Sequence, residues 1–309
     1  MQKKIKEKKS ISVIVLGVGL MLYSALLLLL LFWGVLTSLK TDDDFLIRQN
    51  YLSLPKDPDT GNLLWPWAWD WKNYTSATKF LKITGLYRNG RSMAVPFDTQ
   101  VLYSVVYAGG CALVGALCPC IMAYATSKFA YKICRVIDSI VIIVMIVPIV
   151  GAQISLVSLL HSFGIYDTWI GIFLPKMSFT GMYYLMFSAI FKGVSKEYYE
   201  AATIDGASEW TLLVRIAFPL VINSFALIVL LLFIQYWNDY QTLLIYAPSH
   251  PTITYGLFRI MTDPTGSSER GSTGVQMASC VIIAMPVIIL FIIFRNKLMG
   301  NLTIGGVKE

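Results

Sequence analysis

Six long apolar stretches, set apart by polar tracts, dominate the pattern of this chain. They run approximately over 11–37, 102–127, 137–161, 169–191, 220–247 and 275–294. A helix rises 1.5 Å per residue, so roughly 20 apolar residues cross a hydrocarbon layer of about 30 Å, and each stretch meets that length. The pattern predicts an all-α, polytopic membrane protein with six transmembrane helices. Gly109, Gly110, Pro119, Pro148 and Pro286 fall inside these stretches and predict kinks rather than breaks.

Composition agrees: 56% of the 309 residues are hydrophobic and only 14% charged. The mean hydropathy is +0.63, too oily for an ordinary water-soluble domain. Lys3, Lys4, Lys6, Lys8 and Lys9 precede the first stretch. That stretch is far longer than the apolar core of a signal peptide and ends at Trp33 and Lys40, so it reads as a retained span. Placing residues 1–10 in the cytoplasm also brings inside Lys128, Lys132, Arg135, Lys192, Lys196, Arg215, Arg295, Lys297 and Lys308. Both ends are then cytoplasmic. The net charge of +7 is mostly this inward bias and calls for no nucleic acid.

Cys111, Cys118, Cys120, Cys134 and Cys280 lie within or beside spans or on the inner side, so no structural disulfide is expected. With His161 and His250 the only histidines, no metal site is expected either. Residues 38–101 form an extracytoplasmic segment bearing Trp65, Trp67, Trp69 and Trp71, either an interfacial aromatic belt or small cap, or a surface for a partner protein. The second outer loop, 248–274, suits either a plain solvated connection or a docking surface.

Between the fourth and fifth stretches lies a polar island, and residues 200–220 read EAATIDGASEWTLLVRIAFPL. Ser195 can cap a short helix over 196–205, with Glu197 in its first turn. Gly206 suits the left-handed position that ends it, Ser208 can cap a second short helix over 209–215, and Pro219 fits the first turn of the next span. Tyr198, Ala201, Ala202 and Asp205 share one face of the first helix. Glu197, Glu200 and Asp205 make it acidic, unlike the basic helices that lie on lipid.

Glu200, Ala201, Ala202, Gly206, Ile216 and Pro219 together resemble the EAA loop of binding-protein-dependent ABC importers, with Phe218 where that pattern usually has Leu. The tail LTIGGVK over 302–308, including Gly305 and Gly306, is similar to the ending of the maltose-type smaller carbohydrate permeases. The resemblance implies the type I ABC importer permease fold, with a five-helix core over 102–296 that includes a coupling loop at 193–219, and a tail at 297–309 reaching toward an ATPase. It implies a bacterial cell membrane setting and several partners. These are a second, non-identical permease, an ABC ATPase dimer, an extracytoplasmic substrate-binding protein, a carbohydrate substrate and membrane lipid. ATP and Mg would be held by the partner ATPase; the chain itself has no GxxxxGK[ST] phosphate loop, no cofactor and no catalytic role.

Trp237, Asn238 and Asp239 in the fifth stretch are similar to a run common in carbohydrate permeases, and with Gln153 they are candidates for the substrate path. Each also has a plain reading. Tyr and Trp mark interfaces, Asp239 can sit in water, and Gln153 and Asn223 can bond between helices. An ion-coupled secondary transporter of a small polar solute is the alternative, but it would bury carboxylates, His or Arg at mid-membrane and show two related halves. A membrane-embedded hydrolase would need a Ser, His and acid set at matched depth; His161 and His250 have no obvious partner in the sequence.

Overall fold

A computed structural model describes residues 11–262 and 272–301, apart from 48, 50, 58, 89–90, 130 and 148–150. The tail glycines Gly305 and Gly306, the basic residues ahead of Ile11, and Pro148 lie outside the described residues. The chain divides into two compact units, Met1–Phe80 with Thr265–Ala284, and Leu81–Pro264 with Met285–Glu309.

In the first unit, helix α1 (Ile11–Ser38) is apolar along its whole length, exposed from Val13 to Phe32 and buried from Leu36 to its end. Where it ends, polar groups are captured. Asn73 of α2 (Lys72–Phe80) is buried and donates from Nδ2 to the carbonyls of Ser38 at 3.0 Å and Lys40 at 2.9 Å. Tyr74 Oη and Ser38 Oγ pair at 2.8 Å. A helix end leaves carbonyls without partners, and the Asn73 amide supplies donors to two of them while Tyr74 meets the Ser38 hydroxyl. Burial pulls the Lys40 ammonium below the usual lysine range, partly offset by Asp44 beside it. The indoles of Trp65 and Trp67 stack at 5.2 Å and remain exposed.

The second unit opens with a two-stranded antiparallel hairpin, β1 (Ile83–Arg88) and β2 (Arg91–Val95), so the chain is not purely helical. The sequence carried the signal: Asn89-Gly90 between alternating apolar residues is a strong hairpin mark. Ile83, Leu86 and Val95 bury one face, and the register shifts between Ile83 and Leu86, where Gly85 takes φ +72°.

Helix α3 (Phe97–Lys128) is the spine of this unit. Pro119 sits inside it without breaking it. Its small residues Ala112, Ala116, Cys120 and Ala123 let two helices approach: α7 (Met182–Lys192), through Tyr184, Phe187 and Phe191, and α10 (Phe218–Trp237), through Val221, Phe225, Ile228 and Leu232. Close approach at small side chains is how helices gain packing where lipid offers no hydrophobic contrast.

Among the described residues, four helices are long and apolar enough to cross a bilayer: Val13–Ser38, Phe97–Lys128, Glu209–Trp237 and Thr273–Arg295. The last belongs to α13 (Thr273–Asn301), which holds Pro286 without interruption. The third and fourth predicted spans are each divided. Helix α4 (Lys132–Ile146) ends before Val147, extended at φ −79°, ψ 115°, and α5 (Ala152–Ser162) restarts after Gly151 at φ +79°. The residue before a proline is forced out of helical geometry, which accounts for the extended backbone of Val147. Helix α6 (Trp169–Phe173) passes into a 3-10 turn at Leu174–Lys176 containing Pro175, and α7 begins only after Gly181 at φ +128°, ψ −175°, a conformation open to glycine alone.

Candidate functional site

The polar island folds as an elbow. Ser195 Oγ accepts from the Glu197 amide, capping α8 (Lys196–Ile204) as its type and position predict. At the other end Gly206 N–H donates to Thr203 O and Ala207 N–H to Ala202 O, each at 3.0 Å, with Gly206 at φ +81°. This double closure is the Schellman turn, which needs a left-handed residue where glycine stands. Ser208 Oγ then accepts from Thr211 N–H at 3.3 Å, starting α9 (Glu209–Thr211).

The second short helix, expected over 209–215, is not a separate piece. It widens into a π-helical segment at Leu212–Ala217 and continues into α10, giving one helix from Glu209 to Trp237. Pro219 explains the widening. It has no N–H for the carbonyl of Arg215, and its ring crowds that carbonyl, so the preceding turn opens. Ile216 is half-buried and Pro219 exposed, both on this continuous helix rather than on α8.

Glu197, Tyr198, Ala201, Ile204 and Asp205 are all exposed, Ile204 at the edge of the cavity beside α8. Ile204 is 86% exposed and Trp210 of α9 is 70% exposed, so the elbow presents two large apolar side chains at its surface. Sequence reasoning passed over both residues. The three-residue spacing of Tyr198, Ala201 and Ile204 was the available signal.

One side of α8 packs inward. Tyr199 meets Tyr124 of α3 at 6.2 Å between ring centroids, and Lys128 Nζ sits 5.7 Å from both rings. Burial, with a smaller push from Tyr124, raises the Tyr199 phenol above its ordinary value. Lys128 also pairs with Glu209. Thus the end of α3 grips both arms of the elbow. Between them opens a cavity of about 760 Å³ lined by Tyr124, Lys128, Phe191, Lys192, Tyr199 and Glu200. Glu200 therefore faces this cavity, and Ala202 is half-buried.

At the far end of α10 stands the second candidate group. Asp239 accepts from Tyr107 Oη at 2.8 Å, from Thr242 Oγ1 at 2.5 Å and from Thr242 N–H at 3.1 Å. The carboxylate is half-buried and accepts these three bonds. Trp237 is buried and stacked on Phe233 at 5.6 Å, and Asn238 Nδ2 bonds back to Ile234 O at 2.9 Å. Those two shape the helix end. Gln153 is exposed and lines a smaller cavity of about 290 Å³ with Lys176, Thr242 and Tyr246.

His250 does have a partner. Its Nδ1 lies 3.3 Å from Asp167 Oδ1, while Ser249 Oγ donates to Asp167 Oδ2 at 2.6 Å. Ser249 Oγ also lies 3.4 Å from the same Nδ1, so hydroxyl and acid meet one ring nitrogen and each other, whereas a Ser-His-acid relay needs the imidazole to bridge them through its two nitrogens. It fastens the loop before α6 to the start of the second outer loop. Ser249, His250 and Thr252 are buried, and α12 (Ile253–Thr262) follows, so that part of the loop is not a plain solvated connection. Asp263, Glu269 and Arg270 lie outside the described residues.

Several long apolar helices, a tightly packed three-helix centre and an exposed acidic elbow define a multi-pass membrane protein of the transport permease class. Residues 115–299 match the family described as the binding-protein-dependent transport system inner membrane component, and the chain belongs to that family. It is 25% identical over 243 residues to the trehalose transport system permease protein SugB of Mycobacterium tuberculosis, covering 77% of this chain and 85% of that one. The diacetylchitobiose uptake system permease protein NgcG of Streptomyces coelicolor is 24% identical over 93% of this chain and 86% of its own. The trehalose/maltose transport system permease protein MalG of Thermococcus litoralis is 28% identical over 69% and 76%. The fold matches a chain in the crystal structure of a bacterial ABC transporter involved in the import of the acidic polysaccharide alginate, with TM-score 0.72, 20% identity and coverage of 96% and 99%.

Proposed function

We propose that this chain is one of two non-identical permease subunits of an ATP-driven importer for carbohydrates, most simply oligosaccharides, in a bacterial cell membrane. The names of the relatives support the carbohydrate class. The observation that carries the coupling role is the elbow: an exposed knob of Tyr198, Ala201 and Ile204 joined through Gly206 to a helix that runs unbroken to Trp237. A groove on an ABC ATPase dimer receives that knob, Glu197 and Asp205 meet basic groups at its rim, and closure of the ATPase on ATP and Mg pulls α10 with it. Gly305 and Gly306 of the tail reach the same ATPase, and an extracytoplasmic binding protein delivers the sugar.

In this reading six spans cross the bilayer. The pairs α4–α5 and α6–α7 form the two broken ones, since interrupted helices are tolerated where they line a polar path. Both termini lie in the cytoplasm, consistent with Lys128, Lys132, Arg135, Lys192 and Arg215 on one side. Asp239, Gln153 and the end of α10 at Trp237 and Asn238 border the path from the outer side. The test is uptake by proteoliposomes holding this chain with its neighbouring permease and ATPase. Accumulation of sugar that needs both internal ATP and the binding protein is expected. Uptake driven by an ion gradient without ATP would refute the reading.

A further inference from the structure

Lys176 is a charge that the coupling elbow and the Asp239 cluster leave unused. It lies in the 3-10 turn between α6 and α7. Its backbone carbonyl is 4.0 Å from where a Cβ on Gly115 would sit, and Gly115 is near the middle of α3, so Lys176 stands at about mid-depth of that helix. Among the described residues no carboxylate lies within ion-pair distance of Nζ, and the face of Tyr236 lies 4.8 Å from it. The Asp239 carboxylate is held by Tyr107 and Thr242 instead. Lys176 lines the cavity of about 290 Å³ together with Gln153, Thr242 and Tyr246. That volume is at the small end for ligand sites, sized for a single sugar ring rather than a long chain.

We propose that this cavity is a station on the translocation path and that Lys176 makes it selective for carbohydrates bearing an anionic group, a carboxylate or a phosphate. The inference rests on the reading of the chain as a carbohydrate permease and names its substrate class. The chemistry is direct. A half-buried ammonium lining a cavity with no carboxylate at ion-pair distance lacks a counter-charge, and an anion on the passing sugar supplies it through a charge-assisted bond. The Tyr236 ring beside it holds the cation without neutralising it. Gln153 and Thr242 offer amide and hydroxyl groups to sugar hydroxyls, and Tyr246 offers an apolar ring to a sugar face. A neutral sugar would meet the same hydroxyl partners and leave the cation unmatched.

The test uses the complete importer in nanodiscs and equilibrium binding of three probes: digalacturonate, a disaccharide phosphate and neutral galactobiose. Wild type is expected to hold at least one anionic probe about tenfold or more tightly than galactobiose, and the better of the two identifies the group. Lys176→Met is expected to erase the preference and Lys176→Arg to keep it. Lys176→Gln serves in place of the methionine variant should that one fail to fold, with the melting temperature as the check. Equal holding of all probes by wild type, a preference that survives in the uncharged variants, or no binding of any probe each overturns the proposal. ATP-driven uptake by the same complex tests the broader reading separately. Uptake without anion preference defeats this inference alone, whereas the absence of ATP-driven uptake of any carbohydrate defeats the permease assignment.

Discussion

Single residues carry more of this design than their exposure suggests. Gly206 closes the elbow at φ +81° with nothing near its missing side chain, so conformation rather than space demands glycine there. Gly206→Val adds a β-branched side chain to a left-handed residue, at a cost of roughly 1–2 kcal/mol. The expected outcome is a folded importer that hydrolyses ATP without moving sugar, read by comparing ATPase rate with uptake in the same vesicles; normal coupling would contradict the role given to the turn. Asn73 is a second such residue, since both its amide bonds end on carbonyls at the end of α1. Asn73→Ala should lower stability by about 1–3 kcal/mol, because a buried acceptor left without a donor is costly. Thermal unfolding in detergent would register it, and an unchanged midpoint would show that water replaces the amide. Asp239→Asn keeps the shape but loses charge, weakening the bonds from Tyr107 and Thr242. About a tenfold fall in uptake is expected, since charge-assisted bonds are roughly twice as strong as neutral ones. Initial rates for the two proteins decide it.

At the level of elements, the sequence was most readable where local chemistry and burial agree. The Ser195 cap and the Gly206 turn were legible because capping and left-handed geometry depend on a few neighbouring residues. The broken third and fourth spans were not, because hydrophobicity sums over a window and is blind to where the backbone stops being helical. Pro148 and Gly151, then Pro175 and Gly181, held that information and needed to be weighed as pairs rather than singly. The Asp239 cluster was hidden for another reason: Tyr107 lies 132 residues away in sequence. The exposed residues of α8 offer an element-level test. Ile204 is 86% exposed at the edge of the cavity beside α8, so Ile204→Asp should leave folding within about 0.5 kcal/mol. It should nevertheless greatly reduce the amount of ATPase that co-purifies with a tagged permease; full recovery of ATPase would place the docking surface elsewhere.

For the whole molecule, the notable property is mechanical continuity. The helix from Glu209 to Trp237 has 29 residues and spans about 44 Å. One end is bound into the elbow through Lys128 and Glu209, and the other leads directly to the carboxylate of Asp239. The π-helical segment at Leu212–Ala217 is its one irregular stretch, and it lies next to the elbow rather than midway. A rod of this kind returns displacement at the far end with little lost to bending. The consequence is economic rather than structural: each nucleotide hydrolysed should move a fixed number of solute molecules. Softening the rod, for instance with adjacent glycines at the exposed positions 222–223, would show itself as slippage, a rising count of ATP consumed per molecule delivered while the resting hydrolysis rate stays the same.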